Sequence, residues 1–137
     1  MSAYAKPLPH VTPLTQPFWD GARAGRLLVQ RCGQCGTFRF PPARICHACL
    51  SEEVAWVPVS GRGTVWSMCE FHRSYFKGFE ADLPYNVVLV RLEEGPRLYS
   101  NLVGLPYERI TIGMRVQAVF EPVTEEVTLL KFEAIPE

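Results

Sequence analysis

Turn-forming residues and runs of apolar positions divide the chain into three parts. Residues 1–13 contain three prolines and predict an extended arm. A short helix is expected next, because Thr15 suits an N-cap, Pro17 suits a first helical turn and Gly25 suits a C-terminal stop. Leu27–Gln30 then predicts a short strand that leads into a cysteine-containing segment.

The third part, from Val54 onward, has the alternation and turn residues of β-structure. Its pattern predicts five strands, at Gly63–His72, Tyr85–Leu92, Arg97–Val103, Arg115–Glu121 and Val127–Phe132. Five short strands with a longer connection between the third and fourth favour a small closed barrel, most commonly the five-stranded OB barrel. An SH3-like barrel or a small sandwich is the alternative. The fold class is therefore mainly β.

Composition and charge favour a globular protein without a membrane span. The 137 residues are 47% hydrophobic and 20% charged, which are globular values. No apolar run reaches the length of a membrane span, and the N-terminus does not resemble a secretory signal, so a cytoplasmic protein is expected. Residues 1–49 hold six basic residues and one acidic residue, whereas residues 50–137 hold eight basic and thirteen acidic residues. The basic segment suits phosphate, an acidic protein surface or nucleic acid, or is simply a solvated surface.

Four of the five cysteines form two CxxC pairs, Cys32–Cys35 and Cys46–Cys49. CxxC spacing lets two thiolates converge on one ion, and ten intervening residues allow the pairs to meet. The pattern predicts one tetrahedral Zn²⁺ per chain, with iron as the rival metal. Because four thiolates leave no position open for water, the site is expected to stabilise a small segment rather than to catalyse. His47, inside a complete set of four cysteines, is expected at the surface.

Eight short segments along the chain carry a family resemblance. They are Gln16–Gly21, Gly25–Leu27, Gln30–Gly36, Phe40–Pro42, Cys46–Cys49, Ser60–Val65, Pro84–Tyr85 and Gly113–Val116. The segments are individually weak, but their order, from about Gln16 to Phe132, resembles that of the domain of unknown function 35 (DUF35) family.

The resemblance implies three regions and a role. An N-terminal arm and helix would occupy residues 1–28, a rubredoxin-like zinc ribbon residues 29–55, and an OB-fold barrel residues 56–137. It implies an accessory subunit that binds acyl-CoA or completes a partner enzyme, either thiolase-like or a hotdog-fold hydratase or retro-aldolase. It implies no catalytic residue in this chain.

The predicted helix is a candidate docking element. Phe18 and Trp19 are adjacent, so their side chains point about 100° apart and are difficult to bury together within the chain. Together with Arg23 and Arg26 they match the composition of interface anchors. These four residues are the predicted partner-binding set. The alternative is that both rings fold back onto the ribbon or barrel.

The loop that follows the first barrel strand is a candidate ligand site. It alternates aromatic and cationic side chains, which are Arg73, Tyr75, Phe76, Lys77 and Phe79. Adenine could stack on the rings while phosphates pair with the cations. Single-stranded RNA uses the same residue types on OB folds, and a hydrophobic partner patch is the third interpretation.

No set of residues has the pattern of a catalytic site. Cys69 lies within a predicted strand and is expected to be a buried, inert thiol, and His72 is expected at the rim. No serine lies in a nucleophile-elbow motif. Three hypotheses follow: an accessory subunit of an acyl-CoA enzyme, a single-stranded nucleic-acid-binding module, and a stand-alone enzyme. The resemblance favours the first, and the acidic C-terminal part argues against nucleic acid.

Overall fold

The computed structural model describes residues 6–136, so part of the predicted N-terminal arm lies outside the described residues. One helix, α1, spans Gln16–Arg23. The strands are β1 (Leu28–Cys32), β2 (Phe38–Arg39), β3 (Val54–Pro58), β4 (Arg62–Phe71), β5 (Tyr85–Leu92), β6 (Arg97–Ser100), β7 (Leu102–Val103), β8 (Arg115–Pro122) and β9 (Thr128–Ala134). Short 3₁₀ turns lie at Glu80–Asp82 and Tyr107–Arg109.

Helix α1 lies where its turn residues predict. Pro17 is in the first turn, and Gly25 follows the helix with a φ of 75°, a conformation that glycine adopts without strain. Thr15 occupies the N-cap position, but its hydroxyl does not cap the helix. It accepts a hydrogen bond from the Thr12 backbone N–H instead, at 3.0 Å. A side chain at Gly21 would lie 2.8 Å from Leu28 Cγ, so this glycine lets α1 approach β1 closely.

Strands β1, β2 and β3 form a small antiparallel sheet in the order β2-β1-β3. Its inward-facing polar residue is Gln30, which is 1% exposed. The Gln30 side-chain carbonyl accepts hydrogen bonds from Arg39 Nε and from the Ala43 backbone N–H, both at 2.8 Å. This buried side chain therefore ties β2 and the segment after it to the middle of the sheet.

The remaining strands form one six-stranded sheet in the order β6-β5-β4-β8-β9-β7. The predicted third strand, Arg97–Val103, is interrupted at Asn101, and its halves β6 and β7 lie at opposite edges of this sheet. The mainly β fold class is confirmed, but this sheet has six strands instead of five because the predicted third strand is divided, and the strands form a sheet instead of a closed barrel. Strand β7 pairs in parallel with β9, so the chain itself joins the two edges at Asn101.

Side-chain hydrogen bonds replace the missing strand pairing next to this interruption. The Asn86 amide on β5 donates to the Leu102 carbonyl at 2.8 Å and accepts from the Leu102 N–H at 2.7 Å. Asn101 in turn donates to the Asn86 carbonyl and accepts from Lys131 Nζ at 2.5 Å. Asparagine side chains thus carry the contact between β5 and β7 that a closed barrel would make through backbone pairing.

The helix, the small sheet and the six-stranded sheet share one hydrophobic core. Phe132, Val88, Val90 and Val116 are fully buried in the six-stranded sheet. Buried residues of the same cluster come from the N-terminal half, namely Phe18, Leu27 and Val29. Since burial of apolar surface is the main stabilising contribution, the parts are expected to hold one another in place.

Candidate metal centre and its surroundings

The four CxxC sulfurs converge at one end of the small sheet. Cys32 ends β1, and the other three cysteines lie in the turns beyond it. All four Sγ atoms lie within 4.8 Å of one another. The Cys32–Cys49 and Cys35–Cys46 sulfur pairs are separated by 3.5 and 3.6 Å. Sulfurs about 2.3 Å from a zinc ion in a tetrahedron would be about 3.8 Å apart, so the arrangement fits zinc.

Both cysteine turns present backbone N–H groups to sulfur. The N–H groups of Gln34 and Cys35 lie 3.4 Å from Cys32 Sγ, and the Ala48 N–H lies 3.4 Å from Cys46 Sγ. These donors stabilise negative charge on sulfur, which is the form that binds metal.

The two turns differ in the residue that closes them. Gly36 follows Cys35 with a φ of 78°, and Leu50 follows Cys49 with a φ of 65°. Each backbone N–H bonds to the carbonyl of the first cysteine in its pair. Leu50 is therefore a β-carbon-bearing residue in a position that favours glycine, and its side chain is 76% exposed. The strain at Leu50 was not predicted from the sequence. The available signal was that a glycine follows the first cysteine pair, whereas no glycine follows the second.

The thiols influence one another's ionisation. Hydrogen bonding with Thr37 lowers the pKa of the Cys35 thiol to about 6. At Cys49 the backbone of Ser51 lowers the pKa, but burial and the neighbouring sulfurs outweigh this effect and raise the pKa to about 12. Four sulfurs this close need a cation to compensate their charge when ionised, so the cysteines are positioned to bind a zinc ion. With four protein ligands such a site is closed and structural.

The predicted ligand loop lies between β4 and β5 and is largely open to solvent. Tyr75 and Phe76 are 64% and 62% exposed, whereas Phe79 is half-buried. The Arg73 guanidinium lies 5.6 Å from the centre of the Tyr75 ring. The structure thus brings Arg73 to Tyr75 and Phe76 to Phe79, and the ligand of the loop stays a prediction.

The predicted docking helix is only partly available to a partner. Phe18 is 7% exposed and its ring contacts Trp19 and Phe40, at centroid distances of 4.9 and 5.4 Å. Only one of the two rings is thus fully buried, and the prediction that Phe18 contacts a partner directly is wrong. The Phe18 ring packs into the core of the six-stranded sheet. Trp19 is half-buried, and Arg23 and Arg26 are exposed.

Cys69 is exposed, contrary to the expectation of a buried thiol. The expectation assumed strict alternation along β4, but the register shifts between Val65 and Ser67, and this bulge changes the faces of the residues that follow. His72 is exposed at the strand end, as expected, and its Nε2 lies 3.1 Å from Glu70 Oε1. His47 is exposed, as expected.

The burial of Arg39 was not predicted from the sequence. This arginine belongs to the basic segment and to the connection between the two cysteine pairs, but its side chain is 4% exposed. Its Nη2 donates to the Ala43 carbonyl at 2.8 Å, while its Nη1 is buried with no hydrogen-bond partner.

Comparison with known proteins places this architecture in a family. Residues 19–55 match the family model described as the ChsH2 rubredoxin-like zinc ribbon domain, and residues 56–121 match the ChsH2 C-terminal OB-fold domain. A "DUF35 domain-containing scaffold protein" of Methanocaldococcus jannaschii is 37% identical over 73% of this chain and 71% of its own. The chain belongs to the DUF35 family.

Two further relatives of this DUF35 chain are informative. A "Probable enoyl-CoA hydratase alpha subunit" of Thermomonospora curvata is 40% identical over 88% of this chain. The match spans 38% of that relative's length. A solved structure titled "Ltp2-ChsH2(DUF35) aldolase" superposes with a TM-score of 0.83 and 36% identity, covering 93% of this chain and 98% of that one. Within residues 6–136, the helices are too short or too polar to cross a membrane.

Proposed function

We propose that this DUF35 chain is a non-catalytic accessory subunit of an acyl-CoA-processing enzyme complex. The observation that carries the proposal is the full-length likeness, in fold and sequence, to the chain titled "Ltp2-ChsH2(DUF35) aldolase". The hydratase alpha subunit of Thermomonospora curvata supports the same class of partner. The partner would be a thiolase-like or hydratase-like enzyme, whose substrate is an acyl-CoA ester.

The side chains support an accessory role rather than turnover by this chain alone. A thiol nucleophile needs a base within hydrogen-bond reach. Within residues 6–136, Cys69 has no such hydrogen-bond partner, and His72 is paired with Glu70 instead. The four remaining cysteines form a closed site, which leaves no position for a metal-bound water. The chain's contribution would then be to hold the partner enzyme in its active arrangement.

The partner would dock on the accessible side of α1. Trp19 is half-buried, so part of its ring can still contact another surface, and Arg23 and Arg26 are exposed beside it. Phe18 would act indirectly, by holding Trp19 through their edge-to-face contact at 4.9 Å. The loop that carries Arg73, Tyr75, Phe76, Lys77 and Phe79 would then contact the acyl-CoA or the partner.

Co-expression with a thiolase-like or hydratase-like enzyme from the same organism tests the role. The pair is expected to co-purify, and the enzyme's turnover of its acyl-CoA substrate should fall when the chain is left out. The isolated chain should show no turnover. Thioester hydrolysis by the pure chain that disappears in Cys69→Ala would contradict the proposal.

Docking through α1 is tested separately by charge removal. The variant Arg23→Ala/Arg26→Ala should weaken the complex about threefold to thirtyfold, because each interface charge contributes up to ~1 kcal/mol when exposed. Arg44→Ala/Arg109→Ala removes two other exposed arginines and is the matched control. Equal weakening by both variants, measured by calorimetry at fixed salt, would reject the helix as the docking site.

A further inference from the structure

A groove runs between the small sheet of the zinc ribbon and the β5–β6 hairpin. Its volume is about 670 Å³, which is within the range of ligand sites in proteins. Aromatic and proline residues form much of its wall, including Phe38, Phe40 and Tyr99. Tyr99 is 75% exposed although its ring is large and partly apolar. None of the four cysteines and no residue of the Arg73–Phe79 loop lines the groove, although His47, within the second CxxC pair, does.

Arg39 lies in the wall of this groove and is the feature that points to a ligand. The side chain is 4% exposed, and two of its three nitrogens bond to neutral oxygens, those of Gln30 and Ala43. The third, Nη1, is buried and unpartnered. Within residues 6–136, no carboxylate forms an ion pair with Arg39. A buried guanidinium held this way carries an uncompensated positive charge, which is costly unless an anion neutralises it.

A second cation stands at the rim of the same groove. Arg97 lines it from β6 and is exposed, and its guanidinium lies 5.5 Å from the centre of the Trp66 ring. Arg91 lies against the same ring at 5.3 Å but does not line the groove. The groove therefore combines a buried cation, an exposed cation and aromatic walls.

We propose that this groove is an oxyanion-binding site, in which Arg39 and Arg97 bind the phosphate or carboxylate of a small molecule and the aromatic wall contacts its apolar part. Guanidinium groups bind both oxyanions through charge-assisted hydrogen bonds. Nη1 is buried, so the oxyanion would contact it only after neighbouring side chains move. The inference rests on Arg39 and on the groove itself, and it does not depend on the accessory role proposed above.

Calorimetric titration of the zinc-loaded chain tests the site. The probes are pyrophosphate, ADP and glutarate, with adenosine as the neutral control. Pyrophosphate and ADP binding identify a phosphate site, glutarate binding identifies a carboxylate site, and either supports the proposal. Absence of binding by all three anions, or adenosine binding as tight as ADP binding, would overturn it.

Two arginine variants distinguish anion binding in the groove from non-specific attraction of anions to surface charge. Arg97→Gln should weaken anion binding about threefold to fivefold, the range for an exposed charge pair. Arg91→Gln removes an equally exposed arginine from the same tryptophan ring, outside the groove, and should bind like wild type. Equal losses in the two variants would overturn the proposal.

Substitution of the buried arginine gives the larger effect. Arg39→Gln should weaken binding about tenfold or more, because hydrogen bonds to a buried charge are stronger than those at the surface. Zinc content and the circular dichroism spectrum establish that this variant is folded. If it unfolds, the Arg97→Gln and Arg91→Gln comparison decides the question by itself. A folded Arg39→Gln chain that binds the anions as wild type does would refute the role of Arg39.

Discussion

Replacement of Asn86 by alanine tests whether side chains join the two edges of the six-stranded sheet. The substitution removes both hydrogen bonds to the Leu102 backbone, which is the partner group on β7. Leu102 is 2% exposed, so its N–H and carbonyl would be left without water. Each hydrogen bond contributes about 1 kcal/mol net, and a buried group left unpaired costs about 1–3 kcal/mol. We expect Asn86→Ala to lower the free energy of unfolding by about 2–4 kcal/mol.

The assay is chemical and thermal unfolding of the zinc-loaded chain. For a chain of this size, each kcal/mol shifts the melting temperature by about 3–4 °C, so a fall of about 6–16 °C is expected. Hydrogen exchange at the Leu102 amide should accelerate in the same variant. Gln117→Ala is the control, because it removes one exposed amide contact, to Glu133 at 2.8 Å, and should change stability by less than about 0.5 kcal/mol. An Asn86→Ala chain as stable as the control would refute this account of sheet closure.

Three further predictions concern the metal centre and one half-buried lysine. Cys46→Ser should reduce the zinc content below one per chain and unfold the ribbon, while Cys69→Ser keeps its zinc; metal analysis distinguishes the two. Leu50→Gly should stabilise the chain by about 0.5–1 kcal/mol in urea unfolding. The left-handed backbone conformation costs a non-glycine residue about 1–2 kcal/mol, and this is more than the additional conformational entropy that glycine loses on folding. Burial lowers the pKa of Lys131. The lysine of the unfolded chain therefore keeps its proton to higher pH than that of the folded chain, so the free energy of unfolding rises with pH towards the ordinary lysine pKa. Lys131→Met should abolish this rise when the free energy of unfolding is measured from pH 7 to pH 10.

Local sequence determined the metal ligands and most of the elements, although it predicted one strand at Arg97–Val103, where the structure has β6 and β7. CxxC spacing is itself the geometry that brings two sulfurs to one ion, so the four ligands could be assigned before any fold was known. Strand β5 begins and ends where its pattern predicts, because alternation and flanking turn residues act over a few residues. For the same reason helix α1 has Pro17 in its first turn and ends shortly before Gly25.

Tertiary structure decided which of these residues are accessible. Phe18 is buried because a strand distant in sequence, β9, packs against α1 and the ring of Phe40 contacts the Phe18 ring. Cys69 is exposed because a bulge on β4, which forms through pairing with β5, breaks the alternation. Arg39 is buried because Gln30, nine residues earlier, accepts its Nε hydrogen bond. Each outcome depends on contacts between residues that are apart along the chain, and local patterns carry no information about such contacts.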